Sequence, residues 1–141
     1  MIVVAAFVVV VALDQSTKAL VVGRFAPGAP GAPLLFGIRI RHLRNARPGA
    51  GLALRPHLLF AIWILIGCSV PLLLAASGSL HLAEAQIALG AILAGTLSNL
   101  IDTATRGAVI DLIDLRMWPV FNLADAAILV GISLIIWSRI A

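Results

Sequence analysis

The chain has 141 residues, of which 62% are hydrophobic and only 11% are charged, and its mean hydropathy is +1.12. So few polar side chains cannot cover the surface of a soluble domain, and we therefore predict an integral membrane protein of a single domain, residues 1–141. The net charge of +4 would suit a nucleic-acid-binding protein, but the charges flank apolar segments, where anionic lipid headgroups are the nearer partners. We therefore expect membrane lipids as partners and no nucleic acid.

Four apolar segments predict four membrane spans, at about 1–22, 58–76, 82–101 and 120–137. Each is close to the roughly 20 residues that a spanning helix needs. The first is not preceded by positive charge and is not closed by a small-x-small cleavage site, so we expect a retained helix rather than a signal peptide. Cys68 lies within the second apolar run and is predicted to be a buried core residue.

A polar cap, about residues 26–56, is predicted between the first two spans. The prolines and glycines of 26–33 exclude a helix there. Residues 37–43 then alternate apolar and polar side chains, which predicts a half-buried strand with isoleucines inward and arginines outward. The cap should therefore contain some β-structure on one face of the membrane.

Carboxylates mark the ends of the apolar segments. Because a charge in or near a bilayer is costly, such residues usually pair, face a cavity or take part in function. Five aspartates are placed in this way: Asp14, Asp102, Asp111, Asp114 and Asp125. Under the four-span arrangement all five lie on one membrane face.

Two of these aspartates have partners at helical spacing within their own segments. Asp14 and Lys18 are four residues apart and share a helix face, so we favour a charge-neutralising pair over direct contact with a substrate. Asn99 precedes Asp102 by three residues at the end of the third span. The first spacing predicts a local pair and the second predicts a shared helix face, but neither says which residues meet across helices.

Asn122 and Asp125 repeat the three-residue spacing at the start of the fourth span. The amide of Asn122 could orient the Asp125 carboxylate, or it could instead cap the helix. The sequence leaves both interpretations open.

Asp111 and Asp125 flank a short stretch that ends in Phe121-Asn122-Leu123-Ala124-Asp125, and we expect chemistry at this pair. Two neighbouring carboxylates cannot both ionise easily, so one keeps a proton while the other activates water. This is the chemistry of an aspartyl peptidase. The three histidines show no spacing typical of metal ligands, so we expect no metal and no cofactor. A serine–lysine pair is disfavoured, because Ser16 and Lys18 point to different sides of a helix.

The order of these motifs resembles that of the lipoprotein signal peptidase (signal peptidase II) family, over nearly the whole chain. The segments that carry the resemblance are Asp14-Gln15-Ser16-Thr17-Lys18, Leu43-Arg44-Asn45, Ser98-Asn99-Leu100-Ile101-Asp102, Gly107-Ala108-Val109-Ile110-Asp111-Leu112-Ile113-Asp114 and Phe121-Asn122-Leu123-Ala124-Asp125. The resemblance implies an all-α integral membrane protein, a four-transmembrane-helix bundle with a small extracytoplasmic β-strand cradle. It also implies a bacterial inner-membrane aspartyl endopeptidase that cuts prolipoproteins just before a cysteine carrying diacylglycerol.

The resemblance assigns roles to individual residues. It implies that Asp111 and Asp125 are the catalytic pair and that Asn45, Asn99 and Asn122 line the active site. Asp14 and Lys18 match the first motif of the family, and Asp102 is expected to give support. We expect a monomer that acts on diacylglyceryl-modified prolipoproteins.

The chain departs from the family pattern in three ways. Thr103 stands where the family has an arginine, so Arg106 or Arg116 would have to supply that charge. The segment after Asn45 is unusual, and the stretch between the two proposed catalytic aspartates is shortened. These departures leave open a divergent member with a dedicated substrate. A non-catalytic membrane carrier or scaffold that uses the same carboxylates is a further alternative.

Orientation is a separate question, on which charge and resemblance disagree. Nine of the ten basic residues lie on the predicted active-site side of the membrane. The positive-inside rule would make that side cytoplasmic, whereas the resemblance places it outside, with both termini in the cytoplasm. We follow the resemblance.

Overall fold

The protein is described by a computed structural model at residues 1–45, 61, 64, 65, 67–69, 72, 75, 76, 78 and 82–140. In chain order the α-helices and strands with assigned bounds are α1 (Ile2–Arg24), β1 (Ala32–Pro33), β2 (Arg39–Asn45), α2 (Ala83–Arg106), β3 (Val109–Asp114) and α3 (Leu123–Ile140), and a short 3-10 helix, Leu35–Gly37, lies between β1 and β2. The described residues between 61 and 76 all have helical backbone. The rest of the second predicted span, and the predicted cap beyond residue 45, lie outside the described residues.

Two of the described helices are long and apolar enough to cross a membrane: α1, with 23 residues, and α2, with 24. At a rise of 1.5 Å per residue they are each roughly 35 Å long, which exceeds the hydrocarbon thickness of a bilayer. The third helix carries a shorter apolar stretch, Leu123–Ser138. The chain is therefore mostly helical, with membrane-capable helices and a small sheet, as predicted.

The helix α2 lies between α1 and α3 and packs against both. Glycines allow this close approach, as is typical of helix packing in membranes. A Cβ atom added at Gly90 would lie 2.6 Å from the carbonyl oxygen of Val3 in α1, and one added at Gly95 would lie 2.4 Å from that of Ala124 in α3. The buried side of α2 thus fixes the positions of the other two helices.

The outer sides of α1 and α3 carry exposed large apolar side chains, which suits contact with lipid. Among them are Val4, Val8, Leu13, Leu20, Leu129, Val130, Ile136 and Trp137. Cys68 is also exposed, so the prediction that it is a buried core residue is wrong. An apolar run in a membrane protein can face lipid as well as protein, and hydropathy alone does not separate the two.

The three strands form one antiparallel sheet in the order β1-β2-β3. The helix α2 ends at Gly107, whose positive φ of 69° forms the C-cap, and β3 begins two residues later. After β3 the chain returns at Phe121, which bridges Ile113, and α3 starts at Leu123. The strand β3 therefore connects α2 to α3 and presents its residues directly above their ends.

Candidate active site

The first turn of α3 carries Asp125 and is capped by Asn122. The Asn122 Oδ1 atom accepts a hydrogen bond from the Asp125 backbone N–H (2.9 Å), and the Asp125 Oδ2 atom accepts one from the Asn122 backbone N–H (3.3 Å). This reciprocal exchange is of the capping-box kind. It satisfies two amide groups at the helix start and fixes the direction of the Asp125 carboxylate.

The side-chain amide of Asn122 also reaches Asp111 in β3. Its Nδ2 atom donates to the Asp111 Oδ1 atom at 2.9 Å and lies 3.2 Å from the Asn99 Oδ1 atom. One residue thus bonds both aspartates. Of the two interpretations of Asn122 left open by the sequence, the structure shows the helix cap, made by the oxygen of the amide. The nitrogen of the amide binds Asp111, and the Asp125 carboxylate accepts from the backbone N–H of Asn122 and not from its side chain.

Two further asparagines hold the carboxylates from other elements. In α2, the Asn99 Nδ2 atom donates to the Asp125 Oδ1 atom at 2.9 Å. In β2, the Asn45 Nδ2 atom donates to the Asp111 Oδ2 atom at 3.2 Å. The structure therefore brings five residues predicted for the site into one hydrogen-bonded group: Asn45, Asn99, Asp111, Asn122 and Asp125.

Asp111 lies in an environment that favours its protonated form. The residue is 3% exposed. Burial first, and then the negative charge of Asp125, raise the pKa of Asp111 to about 7, against the hydrogen bonds from Asn45 and Asn122, which lower it. A buried carboxyl that keeps its proton near neutral pH beside a second carboxylate can take part in acid–base chemistry.

Behind the asparagines lies a buried group of three charged residues. The Lys18 Nζ atom contacts the Asp14 Oδ2 atom at 2.6 Å and the Asp102 Oδ2 atom at 2.7 Å, and it donates to the Asn99 Oδ1 atom at 3.0 Å. All three charged side chains are fully buried. Lys18 therefore links the charged group to the asparagine that holds Asp125.

Asp14 and Asp102 each fix a backbone segment beside the aspartate pair. The Asp14 Oδ1 atom accepts from the backbone N–H of Ala124 in the first turn of α3 at 2.9 Å, and the Asp102 Oδ2 atom accepts from that of Ile110 at 3.2 Å. Ile110 and Ala124 immediately precede Asp111 and Asp125. The structure thus places Asp14, Lys18 and Asp102 in support of the two carboxylates.

Asp114 lies apart from this group, on the opposite face of β3. It binds the Arg41 guanidinium at 3.1 Å and accepts from the Arg116 backbone N–H at 2.8 Å. The backbone hydrogen bond and then Arg41 hold the pKa of Asp114 below its usual value. Ser16 is exposed while Lys18 is buried, so these two residues do not form a pair. Among the residues that the structure describes, no group of three or more potential ligands could hold a metal ion.

An open apolar pocket of about 290 Å³ adjoins the Asp125 side chain. Asp125 contributes a carboxyl group to its lining, and the other lining residues are Leu115, Trp118, Phe121, Ala126, Leu129 and Val130. Because Leu129 and Val130 are also exposed, the pocket is open toward the exposed apolar side of α3. An apolar chain can therefore approach the aspartate pair from the side.

Comparisons with known proteins agree on one family. The family model of signal peptidase (SPase) II matches residues 6–141. The chain belongs to the signal peptidase II family. This confirms the resemblance drawn from the motifs, and it makes the chain a membrane protease.

Relatives in the signal peptidase II family cover most of the chain. The lipoprotein signal peptidase of Syntrophomonas wolfei is 37% identical over 125 residues, which are 89% of this chain and 83% of that protein. The enzyme of the same name from Moorella thermoacetica is 33% identical over 133 residues, 91% of this chain and 85% of that protein. A solved bacterial membrane enzyme, determined by the in meso method at 2.3 Å resolution, is 27% identical with a TM-score of 0.85 and covers 98% of this chain and 87% of its own.

Two residues within the signal peptidase II motifs, Gln15 and Ser98, were missed as site residues by the sequence interpretation. Gln15 donates to the Ser98 Oγ atom at 2.8 Å, and Arg106 pairs with Asp102 and donates to the Gln15 Oε1 atom at 3.1 Å. A signal was present, because Ser98, Asp102 and Arg106 follow one another at intervals of four and so share a helix face. Of the two arginines expected to supply the charge that is missing at Thr103, Arg106 is the one that lies beside Asp102.

Proposed function

We propose that this chain is an intramembrane aspartyl endopeptidase that removes signal peptides from diacylglyceryl-modified prolipoproteins just before the lipid-modified cysteine. The observation that carries the proposal is the aspartate pair. Asp111 and Asp125 come from different elements and are joined through one residue, Asn122. The relatives named above are lipoprotein signal peptidases, which supplies the substrate class.

In the proposed mechanism the aspartate pair holds one proton. The ionised carboxylate takes a proton from a water molecule as the water oxygen attacks the scissile carbonyl carbon. The protonated carboxyl donates a hydrogen bond to the carbonyl oxygen, where negative charge develops. The carbon–nitrogen bond then breaks, and the nitrogen leaves with a proton returned by the pair. No metal or cofactor takes part.

The surrounding polar residues have proposed positioning roles. Asn45, Asn99 and Asn122 donate to the carboxylates and restrict their rotation. Lys18, held between Asp14 and Asp102, orients Asn99 by donating to its oxygen. Amide donors fix the carboxylates without adding charge beside them, so the pair can retain its shared proton.

The proposed membrane arrangement has four spans, with the second at about residues 58–76, and a monomer in the bacterial inner (cytoplasmic) membrane. The sheet would form a cradle on the extracytoplasmic face and hold the scissile bond at the interface. The acyl chains of the substrate would remain among membrane lipids beside Leu129 and Val130, which line the pocket next to Asp125. This arrangement brings a lipid-anchored cysteine to the aspartate pair without removing its chains from the bilayer.

The proposal is tested by Asp111→Asn and Asp125→Asn in a prolipoprotein cleavage assay with purified enzyme in detergent or membranes. Each variant removes one carboxylate with little change of shape, so we expect each to leave the substrate uncut. Asp114→Asn is the matched control, because Asp114 is on the same strand as Asp111 but binds Arg41 on the other face. It should cleave at close to the wild-type rate.

Two outcomes would contradict the proposal in different ways. Normal cleavage by either Asp111→Asn or Asp125→Asn would rule out the proposed catalytic role of the aspartate pair. In the second outcome, the wild-type enzyme cuts no diacylglyceryl prolipoprotein but cuts another membrane substrate, and it loses that activity in Asp111→Asn. That outcome would support the proposed chemistry and contradict the proposed substrate class.

A further inference from the structure

The strand β2 contains one more residue than its partner in the stretch next to Asp111. Ile40 pairs with Ile113, but the next pair is Leu43 with Asp111. Two residues of β2, Arg41 and His42, therefore stand opposite Leu112 alone. This is a β-bulge, a feature that often re-aims side chains beside active sites.

The bulge decides which side chain of β2 faces Asp111. Side chains alternate between the two faces of a strand, so a shift of one residue exchanges the faces. With the bulge, Asn45 pairs with Val109 and donates to the Asp111 carboxylate. If the pairing of Arg39 with Asp114 continued without a bulge, Arg44 would stand opposite Val109 and would occupy the face of Asp111.

In the observed register Arg44 points away from the aspartate pair. It is exposed, and its Nη2 atom donates to the backbone carbonyl of Arg106 at 2.7 Å. A guanidinium on the face of Asp111 would favour the ionised carboxylate, whereas the neutral Asn45 amide perturbs it less. The bulge thus places the neutral donor Asn45 beside Asp111 and keeps the cation Arg44, its neighbour in the sequence, away from it.

His42 ties this bulge to the end of α1. Its side chain is 4% exposed, and its Nδ1 atom lies 2.7 Å from the carbonyl oxygen of Phe25, the residue that caps α1. A carbonyl only accepts, so Nδ1 carries the proton. The His42 carbonyl in turn accepts from the Gly28 backbone N–H at 2.8 Å. The extra residue is therefore held from both its side chain and its backbone by the segment that follows α1.

We propose that His42 is a positioning residue for the peptidase: by anchoring the bulge to Phe25, it keeps Asn45, and not Arg44, beside Asp111. This inference rests on the proposed role of Asp111. His42 acts on the reaction indirectly, because it donates to a backbone carbonyl at the end of α1 and not to either carboxylate of the pair.

Two polar substitutions of His42 distinguish the effect of its hydrogen bond to Phe25 from the effect of burying a side chain at this position. In His42→Asn the amide nitrogen can occupy the place of Nδ1 and donate to Phe25, whereas in His42→Gln it lies one bond further out, near the place of Nε2. We expect His42→Asn to keep kcat within about threefold of the wild type. We expect His42→Gln and His42→Leu to lose about tenfold or more in kcat with less effect on KM, because a small misplacement of a catalytic group is costly.

The pH–rate profile supplies a readout that loss of folded enzyme would not move. Within the described part of the chain, the charged groups that act on Asp111 in the wild type are Asp125 from α3 and Lys18 from α1. In the slipped register Arg44 would replace Asn45 beside Asp111. Because a full positive charge favours the ionised carboxylate more than the hydrogen bond from a neutral amide does, the alkaline limb of the profile should shift to lower pH in His42→Gln and His42→Leu. An enzyme that is merely less stable would lose amplitude and keep the same limb.

Arg44→Asn provides the rescue. Alone it should cleave like the wild type, since Arg44 binds only an exposed backbone carbonyl among the described residues. Combined with His42→Gln it should recover most of kcat and the wild-type profile. The reason is that the slipped register would then bring a neutral amide, introduced by the Arg44→Asn substitution, to Asp111 in place of a cation.

Each result decides the inference. Equal activity of His42→Asn and His42→Gln, an unshifted profile, or no recovery by Arg44→Asn would overturn it, even if His42→Leu fails to fold. Loss of cleavage in Asp111→Asn with no effect of any His42 variant would reject the role of His42 alone. Full cleavage by Asp111→Asn would reject the proposed function itself.

Discussion

Among single residues, Asn122 stands out because the two ends of its amide have separate tasks. The oxygen accepts from the backbone of Asp125 and caps α3, while the nitrogen donates to Asp111. In return, the carboxylate of Asp125 accepts a hydrogen bond from the backbone N–H of Asn122. One short side chain therefore starts a helix and connects the two aspartates, and substitutions can separate these contributions.

Asn122→Ser should retain the cap and lose the link to Asp111. A serine hydroxyl can accept from the Asp125 backbone N–H but is too short to reach the Asp111 carboxylate. A hydrogen bond between neutral groups is worth about 0.5–1.5 kcal/mol, so we expect kcat to fall by about 2- to 10-fold with little change in thermal unfolding. Asn122→Ala should lose the same activity and about 1 kcal/mol of stability as well. Wild-type kcat in Asn122→Ser would contradict this division of tasks.

The pKa of Asp111, raised to about 7 by burial and then by Asp125, predicts how cleavage depends on pH. The carboxyl is neutral below its pKa, so the state with one shared proton is depleted as the pH rises through about 7. We expect kcat/KM to fall on that limb. Asn45→Ala should move the limb to higher pH, because the hydrogen bond from Asn45 lowers this pKa. The measurement is a pH–rate profile with a substrate that has no titratable group near the scissile bond, and a flat profile from about pH 6 to about pH 8 would contradict the prediction.

Between elements, the close contact of α2 with α3 sets the distance from Asn99 to Asp125. Gly95 lies one turn before Asn99, and a Cβ atom there would be 2.4 Å from the Ala124 carbonyl oxygen, a backbone atom that cannot rotate away. Any larger residue must therefore separate the two helices. The hydrogen bond from Asn99 to Asp125, at 2.9 Å, bridges the same interface.

Gly95→Ala should weaken both packing and cleavage. Overpacking of this kind costs about 1–3 kcal/mol, and the displaced Asn99 should lower kcat by about tenfold or more. Gly23→Ala, near the end of α1, is the matched control, because a Cβ atom there meets nothing within 4 Å. It should leave activity unchanged and leave thermal unfolding unchanged or slightly higher. Equal behaviour of the two variants in unfolding and cleavage assays would show that the α2–α3 contact does not set the site.

For the molecule as a whole, charge and family resemblance give opposite orientations. Part of the basic charge that opposes the family orientation is compensated within the fold. Arg41 pairs with Asp114, and Arg106 pairs with Asp102. The positive-inside rule applies best to short loops, and it is weaker for basic residues that belong to a folded, translocated segment. This compensation is a physical reason to prefer the proposed orientation, with the cap outside.

This orientation predicts which positions react with a membrane-impermeant maleimide in intact cells. In a Cys68→Ser background, Ala26→Cys in the cap should be labelled from outside, since Ala26 is exposed. Ala83→Cys, at the start of α2 on the opposite side, is also exposed and should be labelled only after permeabilisation. The reverse pattern would place the aspartate pair in the cytoplasm and would support the arginine count.

Three properties of this protein could be predicted from its amino-acid sequence alone: its membrane environment, its family and the local pairs of its site. Composition required a membrane, because too few polar side chains were available to cover a soluble surface. Helical spacing brought Asp14 to Lys18, which the structure joins at 2.6 Å, and Asn122 to Asp125. Such pairs are readable because the geometry of one helix turn is fixed by the backbone alone. The order of the motifs then sufficed to recognise signal peptidase II.

How these local pairs combine became visible only in the folded chain. Asn99 meets Asp125 across 26 positions of the chain, and Asn45 meets Asp111 across 66. The first contact depends on the approach that Gly95 permits, and the second depends on the bulge at Arg41 and His42, which no periodicity in β2 reveals. Side-chain spacing constrains residues within one element, whereas contacts between elements depend on packing distance and strand register. Those two quantities exist only once the chain has folded.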